Sequence, residues 1–296
     1  MPNALLPELN GRRLTVDVAL KNPSNILRNQ IAKLVDEQLL LPRFFHPLGA
    51  PVEGGGIIYS VVQASDFYTS GNVESVAPGD EFPVVEGVDP EPKLAAVDKW
   101  GGKFSITDEQ VRRNAVSYLD QQTTQLSNTI TRKLDNAAYT ALDQAVTGEN
   151  TVALSGGTNW ENLVFVGPED TLTPSSQRPT AHLSAAQMAA DLQELGVKHD
   201  LLVVHPTQAH ELRSAYAENL DAMLKSAGVT MFSNPHVEEG IAWAVVAGQV
   251  GNVGFEMPLT VETYDDRDHQ QTWVQAYCIP ALAVDKPYCA KKIVLG

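Results

Sequence analysis

The sequence predicts an α+β protein organised around two features that a lone globule does not need: a projecting β-hairpin and one overlong helix. Three observations carry that prediction. No Lys or Arg occurs between Arg43 and Lys93, yet Glu53, Asp66, Glu74, Asp80, Glu81, Glu86, Asp89 and Glu91 all fall there. From Val111, apolar residues step mostly by four as far as Leu142. Strand and helix patterns then alternate from residue 184 onward. A length of 296 residues suggests about two domains at roughly 150 residues each. An apolar fraction of 43% is enough for a sizeable core.

Residues 1–20 carry few helix signals and read as an extended arm. Asn22-Pro23-Ser24 then offers a helix start, with Ile26, Leu27, Ile31, Leu34 and Val35 at helical spacing and Pro42 closing the run. Basic residues slightly outnumber acidic ones here: Arg12, Arg13, Lys21, Arg28, Lys33 and Arg43 against Glu8, Asp17, Asp36 and Glu37.

After Gly54-Gly55-Gly56 comes a β-type run, IIYSVV, and a second candidate strand spans Leu94 to Trp100. Between them lies GNVESVAPGDEFPVVEGVDPEP, rich in Gly, Pro and acid. A two-stranded hairpin alone is marginally stable in water, and a loop this long inside a compact domain is usually functional or disordered. Phe82, Val84, Val85 and Val88 give the tip more apolar bulk than disorder favours. The inference is a hairpin that projects and is stabilised by something else.

The long helix follows KWGGKFSITDEQ, where Gly101-Gly102 is read as a bend. Thr107 with Gln110 fits a capping box, and Asp108 and Glu109 put negative charge at the positive end of the helix. Val111, Ala115, Leu119, Leu126, Ile130, Leu134, Ala138 and Leu142 mark its apolar stripe, and Gly148 ends it. About 40 residues would span ~60 Å. The stepping drifts around the helix, so a heptad seam is not indicated, and QQTTQLSNT is too polar to be buried all round.

Residues 151–180 read as loop-rich around one short strand at Leu163–Val166. A helix from Ser184, a strand at 201–205, a helix after Pro206 and a buried strand at 241–248 follow. Strand arms then surround a polar turn within VETYDDRDHQQTWVQAYCIP, and residues 281–296 hold further strands.

Composition excludes several functions. A net charge of −15 and pI near 4.8 oppose a nucleic-acid-binding surface, which needs clustered Lys and Arg. Nothing resembles a secretion signal, the Leu39–Leu41 triplet being interrupted by Pro42 and Arg43. No segment approaches the ~18 apolar residues of a membrane span, so a soluble, non-exported chain is expected. Cys278 and Cys289 lack CxxC partners and read as two free, buried thiols.

Candidate chemistry is sparse. Asp265, Asp266, Asp268 and His269 could hold a divalent metal, but adjacent polar residues between two strands are the usual composition of a solvated turn. His205, His210 and Glu211 lack HExxH spacing. Gly248, Gly251 and Gly254 form GxxGxxG without the helix a dinucleotide loop requires. No GxxxxGK[ST] or GxSxG occurs, so no catalytic residue, cofactor or metal is assigned.

In this order, VAPGDEFPV at 76–84, KWGGKFSITDEQVRRN at 99–114 and LLVVHPTQAHELR at 201–213 resemble the major capsid proteins of tailed bacteriophages, whose fold is shared with encapsulin shells. The resemblance covers nearly the whole chain. It implies an N-terminal arm (1–50), an extended β-hairpin loop (51–102), a peripheral domain with the long spine helix (103–180), an α/β axial domain (181–269), and C-terminal strands (270–296) returning to the peripheral domain. It further implies a protein whose activity is self-assembly: pentamers and hexamers closing into an icosahedral phage head around double-stranded DNA, without sequence-specific binding.

Expected partners are other copies of the chain, a separate scaffolding protein, a portal and decoration proteins, with the product located in the virion after assembly in the host cytoplasm. The scaffold is expected to be separate because the arm-like pattern begins within the first ~20 residues, where some members carry a long cleaved extension. Some members cross-link through a loop lysine; this loop has none before Lys93, so no cross-link is expected. The inter-subunit contacts implied are Arg12, Arg13 and Arg28 on the arm, answering Glu74, Asp80, Glu81, Phe82 and Glu86 on a neighbour's hairpin. Alternatives are an encapsulin-type compartment, a metal-dependent hydrolase centred on Asp265–His269, and a monomeric binding module.

Overall fold

The structure, a computed structural model, describes residues 39–69, 71–87, 90–113, 116–146, 148–153 and 160–295. In chain order its elements are α1 (Leu41–Phe44), β1 (Phe45–Pro47), β2 (Gly56–Ser60), β3 (Pro92–Ala96), β4 (Trp100–Thr107), α2 (Asp108–Arg112), α3 (Val116–Ala145), β5 (Thr151–Ala153), α4 (Pro179–Asp191), β6 (Leu201–Val204), α5 (Pro206–Tyr216), α6 (Leu220–Ala227), β7 (Thr230–Ser233), β8 (Ile241–Val245), β9 (Gly251–Asp266), β10 (Gln271–Ala283) and β11 (Ala290–Val294). The predicted α+β class holds. Two compact units divide the chain: one holds residues 98–133 and 256–280, the other 40–97, 134–255 and 281–295.

In the first unit, β4 pairs antiparallel with β10 from Thr107↔Gln271 to Trp100↔Cys278, and β9 lies on the other side of β10. The period of two sorts the side chains. Ile106, Val274, Ala276 and Cys278 are buried on one face, while Lys99, Gly101 and Lys103 stand exposed on the other. Gly101-Gly102 is therefore not a bend but lies within a strand, one residue from its start. A Cβ at Gly101 would lie 2.5 Å from Tyr277 Cβ and 2.7 Å from the Ala276 carbonyl oxygen, and one at Gly102 would lie 2.7 Å from Leu126 Cδ1. Close packing on both faces is what the two glycines permit.

The capping box is present as predicted. Thr107 Oγ1 accepts from the Gln110 N–H at 3.4 Å, and Gln110 Oε1 accepts from the Thr107 N–H at 3.0 Å. The single 40-residue helix is not. Arg113, at φ −81° and ψ 0°, closes α2, and α3 starts afresh as a helix of 30 residues, ~45 Å long. Its buried stripe runs Leu119, Thr123, Ser127, Ile130, Leu134, Ala138, Leu142. So the polar middle of the helix supplies two buried hydroxyls to an otherwise apolar stripe.

The second unit is built on a five-stranded sheet ordered β5-β11-β8-β6-β7. β5 and β11 are parallel, as are β6 and β7; β8 is antiparallel to both β11 and β6. All residues of β6 and β8 are buried, which is why they read as continuous apolar runs rather than alternating ones. Leu202, Val204, Ala242, Ala244 and Ile293 share one core with Leu183 and Ala186 of α4, Leu212 of α5, Met223 and Leu224 of α6, and Trp160. Trp160 Nε1 donates to His182 Nδ1 at 2.8 Å, and burial holds the His182 pKa down. Trp243, alternating with Ala242 and Ala244, meets Tyr139 of α3 edge-on at 6.3 Å. The buried Asp135 carboxylate accepts from the Leu40 N–H at 2.9 Å and Asn234 Nδ2 at 3.2 Å. Its pKa is raised by burial against those hydrogen bonds.

Several local expectations need correction. Pro42 does not end a helix but sits in the first turn of α1, where its missing N–H costs nothing. Residues 163–166 form no strand. Val164 instead exchanges hydrogen bonds with Thr173, and Gly167-Pro168 cuts the run short. The short strand of this region is β5, twelve residues earlier. α4 begins at Pro179 rather than Ser184, again with proline in the first helical turn. Gly251 and Gly254 lie within β9, not in a ligand loop. Gly251 pairs in parallel with Phe45, where a Cβ would meet the Phe45 ring at 2.9 Å.

Candidate assembly surfaces

β2 and β3 form the predicted hairpin in the register Gly56↔Ala96 to Ser60↔Pro92. The second arm is shorter than expected, because the run at 94–100 divides between β3 and β4. At the Gly54-Gly55 end both glycines take positive φ, 77° and 82°, and the Val97 N–H donates to the Gly55 carbonyl. Ile58 pairs with Leu94, and the two side chains are 77% and 67% exposed. Direct cross-strand partners lie on the same face. This face therefore presents a rung of two large apolar side chains to solvent.

The other end opens into the acidic loop, whose base is tied to the body of the second unit. The Val62 N–H donates to the Asp285 carbonyl at 2.8 Å. Phe67 meets Tyr288 edge-on at 6.0 Å, and Tyr68 Oη donates to Glu194 Oε2 at 3.2 Å. A cavity of about 280 Å³ lies beside this base, lined by Val62, Gln63, Lys93, Glu149, Asn150 and Gln193 among others. Farther out the loop doubles back: a Cβ at Gly71 would touch Val85 Cγ1 at 3.2 Å, and the Asp80 N–H turns back to the Ala77 carbonyl. Phe82 and Val84 at the tip are 77% and 83% exposed. Glu74, Asp80, Glu81 and Glu86 are exposed with them. Arg12, Arg13 and Arg28 lie outside the described residues, so of the anticipated contact set only the loop residues are placed, as exposed positions along one loop.

A buried polar cluster around one lysine went unread in the sequence. Lys291 of β11 is fully buried, and its Nζ donates to Asn150 Oδ1 at 2.6 Å and Gln193 Oε1 at 2.7 Å. Burial lowers its pKa to about 8. His199, also buried, is lowered to about 4, first by burial and then by the Lys291 charge. Within AKKIV nothing distinguishes Lys291 from Lys292, which pairs with Asp143; only the strand's alternation could have suggested it.

The polar cluster at 265–269 is the β9–β10 turn. Asp266 accepts from Gln271, Trp273 and His269, and these bonds, Gln271 first, draw its pKa down to about 2. Arg267 pairs with Asp265 and Asp108. Among the described residues no group of three or more His, Cys, Asp or Glu could hold a metal ion. His205 caps α5, its Nδ1 accepting from the Thr207 N–H at 3.3 Å. Cys278 and Cys289 are free and buried, and burial lifts both thiols to about 11. No described helix is long and apolar enough to cross a membrane.

The structure aligns with the capsid of Myoviridae phage XM1 over 86% of this chain and 90% of that one, with a TM-score of 0.59 at 15% identity. It aligns with a chain from Mycobacterium phage Bobi over 90% and 97%, with a TM-score of 0.60 at 12% identity. With the virus-like particle from Pyrococcus furiosus the shares are 92% and 99%, the TM-score 0.59 and the identity 13%. A comparison with curated proteins gives no match. The model of the family described as "Phage capsid protein" matches residues 90–293, so the chain belongs to the phage capsid protein family. Its fold is the phage capsid fold, and its family is one of structural shell proteins.

Proposed function

We propose that this chain is the major capsid protein of a tailed phage, with self-assembly rather than catalysis as its activity. Copies form pentamers and hexamers that close into an icosahedral head around double-stranded DNA, held in the virion after assembly in the host cytoplasm. The observation that carries this reading is the hairpin: an anchored base, an exposed Ile58–Leu94 rung and an exposed Phe82 and Val84 at an acidic tip. Apolar surface of this kind marks an interaction site, and a second copy supplies the cover. In this reading 1–50 is the arm, 51–102 the extended loop, 103–180 the peripheral domain, 181–269 the axial domain and 270–296 the returning strands.

A net charge of −15 suits a wall that surrounds DNA without binding it tightly. The same charge opposes assembly, so moderate salt, which screens beyond ~8–10 Å, favours shells. A separate scaffolding protein, a portal and decoration proteins are the further partners. Arg12, Arg13 and Arg28 of the arm meet the acidic loop of a neighbour, and Arg12→Glu with Arg13→Glu lowers assembly yield.

The likeness to the Pyrococcus furiosus particle supports a second reading, an encapsulin-type compartment enclosing protein cargo. Electron microscopy and sedimentation of the purified chain, with and without a co-expressed scaffolding protein, test the shell. A discrete monomer under every condition overturns it. Nuclease treatment and mass spectrometry of the contents then separate DNA from protein cargo.

A further inference from the structure

The KWGGKF stretch leaves one face of the first unit unexplained. On the exposed side of β4, Lys99 and Lys103 flank Gly101, and opposite Gly101 across the strand pair stands Tyr277. Lys99 Nζ lies 4.5 Å from the centre of the Tyr277 ring, and Lys103 Nζ 4.3 Å from that of Trp273. Lys103 Nζ also donates to Tyr264 Oη at 3.2 Å. Aromatic faces attract ammonium groups, so both lysines are held over the sheet. Between them lies a trough of about 330 Å³, floored by Gly101 and walled by Lys99, Lys103 and Tyr277. A Cβ at Gly101 would run into Tyr277, so the floor stays bare.

Glu262 and Asp266, carboxylates on this face of β9, are both taken, Glu262 by Gln275 Nε2 at 2.8 Å and Tyr277 Oη at 3.0 Å, and Asp266 by Gln271, Trp273 and His269. Among the described residues neither Lys99 nor Lys103 is in an ion pair. Two placed but unpaired cations beside a bare aromatic floor are an unusual feature in a protein of charge −15.

We propose that this trough receives the loop tip Asp80-Glu81-Phe82 of a second copy, leaving the flanks of that loop to the arm. Two carboxylates meet two ammoniums, and the Phe82 ring covers Gly101 against Tyr277. The tip is the matching surface: exposed, acidic, aromatic, and within a stretch that contains no Lys or Arg from residue 44 to 92. The pairing rests on the shell reading and adds to it a receiving site made of named residues. Charge complementarity of this kind sets register and partner choice more than raw affinity.

The test has two arms, both on the full chain. In the first, a synthetic peptide of residues 76–86 is titrated into the purified subunit. Binding is expected, weakened roughly tenfold by Lys99→Glu with Lys103→Glu, with the milder Lys99→Gln/Lys103→Gln pair used if the reversal lowers the melting temperature. In the second, Glu81→Cys with Lys103→Cys is oxidised during assembly, and a ladder of cross-linked chains is expected on a non-reducing gel. Peptide binding indifferent to the lysine changes overturns the proposal, as does a cross-link confined to single chains or absent from formed shells. If the wild type forms no shells while the peptide still binds, the shell reading fails and the trough stands.

Discussion

Ile58 of β2 and Leu94 of β3 are Cα partners across the hairpin, and both project into solvent. An isolated two-stranded ribbon gains little by exposing such a pair, whereas covering each side chain is worth about 1.5–3 kcal/mol. Replacing both with serine is expected to raise the subunit concentration needed for shell formation by about 100-fold or more, while the melting temperature of the free subunit stays unchanged. Light scattering during assembly and a thermal melt of the dissociated chain measure the two effects. Shells forming at the wild-type concentration would remove the hairpin from the interface.

Gly101 and Gly102 predict different costs. A methyl at Gly101 meets Tyr277 Cβ and the Ala276 carbonyl, atoms fixed by the strand pair, and should destabilise by about 1–3 kcal/mol. At Gly102 the obstacle is the end of the Leu126 side chain, which can turn aside. Urea denaturation should therefore rank Gly101→Ala well below Gly102→Ala in stability. Equal losses would contradict the packing described for β4.

Asp135 predicts a loss through an orphaned backbone group. Asp135→Ala leaves the Leu40 N–H without its acceptor, at a cost of about 1–3 kcal/mol. Asp135→Asn keeps an amide oxygen for that bond and should cost less. Chemical denaturation of the two variants checks the order.

The buried Lys291–His199 cluster predicts opposite ends of a pH profile. The folded His199 pKa, about 4, lies below its ordinary 6.5, so the unfolded chain takes up the proton first as pH falls. Stability is lost between about pH 6.5 and 4, and His199→Gln should remove that part of the slope. Lys291, at about 8 when folded against 10.5 ordinarily, binds its proton more readily unfolded. Stability should rise with pH between about 8 and 10.5 and lose that rise in Lys291→Met. Difference curves between wild type and variant, from melts across pH, isolate each group.

How much of this was legible in the sequence depended on how local the governing interaction was. The Thr107–Gln110 capping box is written within four residues, and the acidic loop declares itself by a long absence of cations. The all-buried strands β6 and β8 showed as apolar runs. Gly101-Gly102 was misread because glycine serves bends and close packing alike, and only Tyr277 and Leu126, distant in sequence, decide between them. Val111 to Leu142 kept its four-residue step across the break at Arg113, so periodicity gave one helix where there are two. Lys291 was hidden because its partners Asn150 and Gln193 lie 141 and 98 residues away. At the candidate surface, the acidic tip was read directly, whereas the exposed Ile58–Leu94 rung needed the register.

The cation-free loop has a practical corollary for watching assembly. A protease that cuts after Lys and Arg has no target from residue 44 to 92, and its site after Lys93 falls within β3, so it reports on the stem of the hairpin and not on the tip. An acid-directed protease meets Glu74, Asp80, Glu81 and Glu86 at the exposed tip. Digestion with that enzyme before and after shell formation should therefore report loop coverage as a clock, in minutes of protection, without any label on the chain.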